Sequence, residues 1–212
     1  MAIVEEVRSV IPKDVQVHLF GVARPAAVRQ MSELGINSVD SASVLRQAWT
    51  RTKDSYLMED DFYGAIRIPE AGKSFRAKQI ESHAGLTEAK IVELEQNALN
   101  AVRAFAKGKC GLEACLGAVM EYDKLVTADR IDMTDIYLKT LEGRPWERCD
   151  CSICQDVGVE VVIFRGNNRN RRRGFHNTYV FYQSMQRILS GETVTFGKPQ
   201  PVAGQRTLFP IA

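Results

Sequence analysis

Histidine is scarce in this chain, at three residues in 212, and no apolar run approaches the roughly 18 residues that cross a bilayer. A membrane span or membrane partner is therefore not expected. The opening stretch MAIVEEVRSVIPKD carries Glu5 and Glu6 and has no apolar signal core, so it predicts an amphipathic helix, not an export signal. The expected location is cytoplasmic. Five cysteines in a reducing compartment argue against a disulfide framework. Charge of one sign is also lacking: 28 Lys and Arg against 26 Asp and Glu leave +2. The chain is not a polycation, and any nucleic-acid surface must come from local clustering. Internal repeats and low-complexity tracts are absent.

The length suits one domain, or one with an appendage, and 45% hydrophobic residues can build a core. Residues 3–10 read as a helix and 15–22, VQVHLFGV, as a strand ending at a glycine. The next segment, RPAAVRQMSELG, has Pro25 in its first turn and Gly35 as a stop, which predicts a helix. A second strand follows in INSVDSAS. Strand, helix and strand make a βαβ unit with parallel strands. Residues 49–82 look mixed, with a short strand in DFYGAIRIPE. Residues 86–106 form the clearest helix, with Thr87 as its cap, and further helices are expected near 112–125 and 133–141. VEVVIF, 159–164, reads as a strand. The final helix begins near His176 and stops at Gly191.

The densest signal is RCDCSICQD. Cys149, Cys151 and Cys154 have the Cys-x-Cys-x-x-Cys spacing of a metal loop, which needs a fourth ligand. His18 lies in an apolar strand and His83 in a loop. His176 lies at the head of the last helix and is the chosen ligand. Four protein ligands leave no open position, so the expected ion is structural zinc. Three free buried cysteines are the bland alternative. An iron–sulfur cluster would require a fourth cysteine, and Cys110 and Cys115 read as helix core.

Asp40 stands near the C-terminal end of a short apolar strand, where parallel α/β proteins gather catalytic groups. It suits a nucleophile toward a sugar carbon, and equally a cap for the next turn or a partner of Arg46. The segment RGNNRNRRRGFHN holds Arg165, Arg169, Arg171, Arg172 and Arg173 within nine residues. It reads as a flexible basic loop that binds polynucleotide phosphate, or as a solvated loop paired with carboxylates. Arg46, Arg51 and Lys53 can extend that surface. Trp49 and Tyr56 are candidates for base stacking, and equally for the core. Asn167 or Asn168 can reach a base edge.

Taken together, HLFGVARP, LGINSVDSAS, CDCSIC and FHNTYVFYQSMQRI resemble the C-terminal half of the tRNA-guanine transglycosylase superfamily, over roughly residues 15–58 and 145–190. DSAS-x-LRQAW and RGNNRNRRRGFHN are most similar to the branch that modifies DNA. The resemblance implies a transferase that exchanges guanine in DNA for a 7-deazaguanine such as preQ0. Asp40 would be the nucleophile forming a covalent aspartyl–sugar intermediate, and Gly21 and Arg46 would bind substrate. The arginine segment would hold DNA, and Cys149, Cys151, Cys154 and His176 would hold the zinc. The implied fold is the last part of a TIM-type (β/α)8 barrel. Residues 1–79 would be the last βαβ unit, 80–141 a helical insertion, 142–191 a zinc subdomain and 192–212 a tail. The family's general-base aspartate belongs to earlier strands that are absent here. The chain is thus expected to be a fragment or split subunit needing an N-terminal half or partner, inactive alone. Two departures stand out: Val39 replaces the usual Phe before the aspartate, and 80–140 is longer than the usual connection. The alternatives are exchange in tRNA, and a noncatalytic zinc-stabilised nucleic-acid-binding module.

Overall fold

The computed structural model describes residues 2–71 and 85–194. His83 and the tail beyond 194 lie outside the described residues, as does part of the expected insertion. Among the described residues no helix is long and apolar enough to cross a membrane.

The N-terminal unit is α1 (Ala2–Val10), β1 (His18–Leu19), α2 (Pro25–Glu33) and β2 (Ser38–Val39). Pro25 sits in the first turn of α2, where its missing N–H has no helical partner to lose. β1 and β2 pair in parallel, with His18 opposite Ser38 and Leu19 opposite Val39. The expected βαβ unit is therefore present. A closed barrel is not: each sheet among the described residues has two strands. This unit buries little. Val28 and Met31 are interior, while Ile3, Phe20 and Val10 are 82%, 80% and 75% exposed.

Asp40 is followed by a helix, not the expected loop: α3 (Ser43–Thr50). Then come a hairpin, β3 (Tyr56–Leu57) with β4 (Phe62–Tyr63), and β5 (Ile66–Arg67). α4 (Glu88–Ala106) forms because Ile91, Leu94, Ala98, Leu99, Val102 and Phe105 recur at helical spacing and are all buried. The Thr87 hydroxyl accepts from Lys90 N–H at 3.4 Å, as expected of its cap. α5 (Leu112–Thr127), α6 (Thr134–Gly143) and α7 (Pro145–Arg148) follow, then α8 (Ser152–Val157) and a 3-10 turn (Gly158–Val162). β6 (Ile163–Phe164) pairs in parallel with β5, Ile66 opposite Ile163. The main core lies among α4, α5, α6, these two strands and the cysteine loop.

Two expectations are corrected here. VEVVIF is mostly a 3-10 turn, and only its last two residues are strand. A short apolar run lacks the alternation that separates a strand from other buried backbone. The arginine segment is not a loop. It opens α9 (Gly166–Leu189), whose buried face runs Arg173, Gly174, His176, Asn177, Val180, Phe181, Ser184 and Ile188. Gly174 has a packing reason: a Cβ there would lie 2.9 Å from both Leu45 Cδ1 and Leu45 O. Its absence lets α9 lie directly on α3.

Candidate active site and metal centre

The four metal-ligand candidates converge. Their ligand atoms lie within 4.8 Å of one another and all four residues are buried. His176 Nδ1 is 3.4 Å from Cys149 Sγ, 3.5 Å from Cys151 Sγ and 3.4 Å from Cys154 Sγ. Tetrahedral bonds of ordinary zinc–sulfur and zinc–nitrogen length place sulfur and nitrogen about 3.6 Å apart. The residues present therefore fit a four-coordinate metal. The local backbone is prepared for thiolates: Cys151 N–H points at Cys149 Sγ, and Cys154 N–H at Cys151 Sγ, at 3.5 and 3.3 Å.

The surroundings orient the imidazole. His176 Nε2 is 2.8 Å from Leu57 O, so the Nε2–H donates to that carbonyl and Nδ1 keeps its lone pair for the metal. The Tyr56 ring stacks on His176 with centroids 3.9 Å apart and 16° between planes. Its hydroxyl is 3.1 Å from Cys154 Sγ. Burial first, then the charge of and hydrogen bond to Cys154, push the Tyr56 phenol well up, so it stays the proton donor. Tyr56 thus serves the metal loop and is not free to stack on a base. Without a cation the three thiols divide their protons. Cys149, hydrogen-bonded to Cys151, is pushed up to about 11, and Cys154 is pushed up by bonds to Cys149 and Cys151. Cys151, favoured by its bonds from Cys149 and Cys154, is pushed down. Three close thiolates require a positive ion. Asn177 ties the site to its neighbours: its amide donates to Val44 O and Ser55 O, both at 3.1 Å, and its Oδ1 accepts from Leu57 N–H at 2.9 Å.

Asp40 is on the far side of α3, just past β2. Gly21 N–H donates to its Oδ1 at 2.6 Å. Gly21 has φ +70°, a conformation in which an L side chain is strained. Asp40 Oδ2 lies 3.7 Å from His18 Nε2, and His18 Nδ1 is 2.8 Å from Ser38 Oγ. One oxygen is thus anchored and the other faces a histidine. The carboxylate is 56% exposed. His18, read from the sequence only as an apolar-strand residue, is the ion-pair partner of Asp40. Arg46 is not. It sits on the exposed side of α3.

The five arginines separate into three environments. Arg165 Nη1 pairs with the buried Glu95 at 2.5 Å, and Arg169 with Glu160 at 2.6 Å. Arg171 and Arg172 are exposed. Arg173 is wholly buried and donates to Ala48 O at 2.7 Å and Val161 O at 3.0 Å. Burial pushes its guanidinium down to about 9, still charged at neutral pH. Its expected place in a surface phosphate loop is corrected, because it sits on the inward face of α9. Cys115 is buried and Cys110 half-buried, both apart from the metal cluster.

The fold and these two centres define a helix-rich α/β protein with a buried Cys3His metal cluster and a carboxylate held open beside a parallel strand pair. No family model matches the sequence. Over 192 residues the chain is 38% identical to a DNA-guanine transglycosylase of Salmonella montevideo, an alignment taking in 88% of this chain and 45% of that protein. The chain belongs to the guanine transglycosylase family, in its DNA-modifying branch, and spans under half the length of this relative.

Proposed function

We propose that this chain supplies the nucleophile-bearing and metal-bearing part of an enzyme that exchanges guanine in DNA for a 7-deazaguanine such as preQ0. The observation that carries the reading is the Asp40 carboxylate, anchored by Gly21 N–H and exposed, in a chain 38% identical to a DNA-guanine transglycosylase. Asp40 attacks C1′ of the deoxyribose, and guanine departs with the electrons of the glycosidic bond and is protonated. The incoming base then attacks C1′ through its ring nitrogen, loses its proton, and the aspartate leaves with the ester bond electrons. The negative carboxylate stabilises the positive charge that develops on the sugar in both steps.

Zinc is the ion proposed for Cys149, Cys151, Cys154 and His176, because thiolate and imidazole in a closed tetrahedron favour it. Its role is to hold the cysteine loop, β3 and α9 together, with no chemistry of its own. The barrel is completed by a segment outside this chain, either a partner or the rest of a longer protein. The apolar exposure of Ile3, Phe20 and Val10 supports that reading, because a lone two-stranded sheet leaves them uncovered. The test is nucleoside mass spectrometry of total DNA and total tRNA from cells carrying the gene with its native neighbours, beside Asp40→Asn. A 7-deazaguanine in DNA that disappears with Asp40→Asn is expected. Its appearance only in tRNA, or its persistence in the variant, overturns the proposal.

A further inference from the structure

A cavity of about 290 Å³ opens between the C-terminal end of α3 and the β5–β6 pair. Trp49, Thr50, Arg51, Thr52, Arg67 and Phe164 supply its chemistry, and no acidic residue lines it. Arg165 and Arg169 are ion-paired to Glu95 and Glu160, but among the described residues neither Arg51 nor Arg67 has a carboxylate within ion-pair distance. Asp123 feels Arg67 through the interior, yet burial raises it out of the ordinary carboxylate range and weakens it as a counter-charge. The cavity wall is also backed by charge: Arg173 Cζ lies 5.3 Å from the Phe164 ring centroid and Arg67 Cζ lies 6.0 Å from it. Arg173 has carbonyl and amide partners, not a carboxylate. It also covers the Ala48 carbonyl, whose negative end would otherwise face an anion at the helix C-terminus. Three guanidiniums, two threonine hydroxyls and two aromatic faces thus surround one space with no compensating anion.

We propose that this cavity is a phosphodiester subsite. Arg51 and Arg67 take a backbone phosphate of a DNA strand, and Trp49 offers its 37% exposed ring to an adjoining base. The proposal rests on the DNA-exchange reading and adds where the flanking strand runs. α3 has eight residues. At 1.5 Å per residue it sets the cavity about 12 Å from the Asp40 end, or roughly three to four nucleotides at B-form spacing. The subsite therefore grips the strand beside the exchanged guanosine and not the guanosine itself.

The test is fluorescence anisotropy of a labelled 16-nucleotide single-stranded DNA with the full chain, over a series of salt concentrations. Arg51→Gln, Arg67→Gln and the double variant are compared with the parent. Each single change is expected to weaken binding about threefold to tenfold, and the double change to lower the salt slope by about 1.4, or 0.7 for each lost phosphate contact on a single strand. Metal content and thermal midpoint serve as folding controls. Arg51→Gln, on an exposed residue, carries the test alone if the double variant fails them. No binding by the parent, or the same affinity and slope in parent and variants, overturns the subsite. Its failure is distinguishable from failure of the exchange reading. The first leaves 7-deazaguanine in DNA with arginine-independent binding. The second leaves arginine-dependent binding with no 7-deazaguanine.

Discussion

The ring of Tyr56 stacks on His176 while its hydroxyl reaches Cys154 Sγ, so one side chain touches two of the four metal-ligand candidates. β3, carrying Tyr56, precedes the cysteine loop by about ninety residues. The contact joins the hairpin to the metal centre. It also donates a proton to a thiolate, which disperses charge that the metal would otherwise neutralise alone. Tyr56→Phe keeps the stack and removes only the hydroxyl. Metal affinity should fall about tenfold, at the lower end of what outer contacts contribute, as read by competition with a chromophoric chelator. The far-ultraviolet circular dichroism should be unchanged.

Removing the metal should be far more damaging than removing a contact to it. The cluster joins the cysteine loop to α9, and His176 reaches β3 through Leu57 O. Three buried thiols in van der Waals range then have no cation. Chelation at neutral pH should lower the thermal midpoint by about 10 °C or more, and zinc should restore it. Differential scanning calorimetry with and without chelator checks this.

Gly174 sits where α9 crosses α3, with Leu45 O and Trp49 in the space a methyl would take. Gly174→Ala should destabilise by about 1–3 kcal/mol through overpacking, although alanine is the better helix former. A denaturant titration that finds the variant more stable than the parent would show that α3 and α9 are not in this close contact.

Glu160 is gripped by Arg103 of α4 and Arg169 of α9, at 2.6 and 2.8 Å. Burial alone would raise its carboxyl, but the hydrogen bonds and charges of the two arginines outweigh this and hold it below the usual range. A depressed folded value means stability that is present above the unfolded carboxylate range and is lost as pH falls through the folded value. Glu160→Gln should therefore cost about 1 kcal/mol at pH 7. The gap between parent and variant should close in acid. Urea melts at pH 7 and pH 3 check both halves of the expectation.

The metal cluster was legible because three of its ligands lie within six residues, and a loop that short must bring them together whatever the rest of the chain does. His176 was legible from its place at the head of the last helical pattern. The βαβ unit was readable from a proline near one helix end and a glycine beyond the other. The arginine segment misled because Asn, Gly and Arg, read singly, suggest a loop. Only the continuing spacing of Arg173, Asn177, Val180 and Ser184 marks the helix, and three of those four are polar residues buried by tertiary contacts. Charge does not reveal which arginine turns inward.

The sequence by itself determined the local pieces: the thiolate loop, the helix periods, the glycine at 21 and the carboxylate at the end of β2. Each depends on neighbours a few residues away. Tertiary structure decided the partnerships: His18 with Asp40, Tyr56 with His176, Arg173 with the Ala48 carbonyl, and Arg51 with Arg67 around one cavity. These join residues that are 16 to 125 positions apart. Such a partner is selected by the packing of α3 against α9 and of β5 against β6, where the desolvation of a charge is offset only by the group that happens to face it.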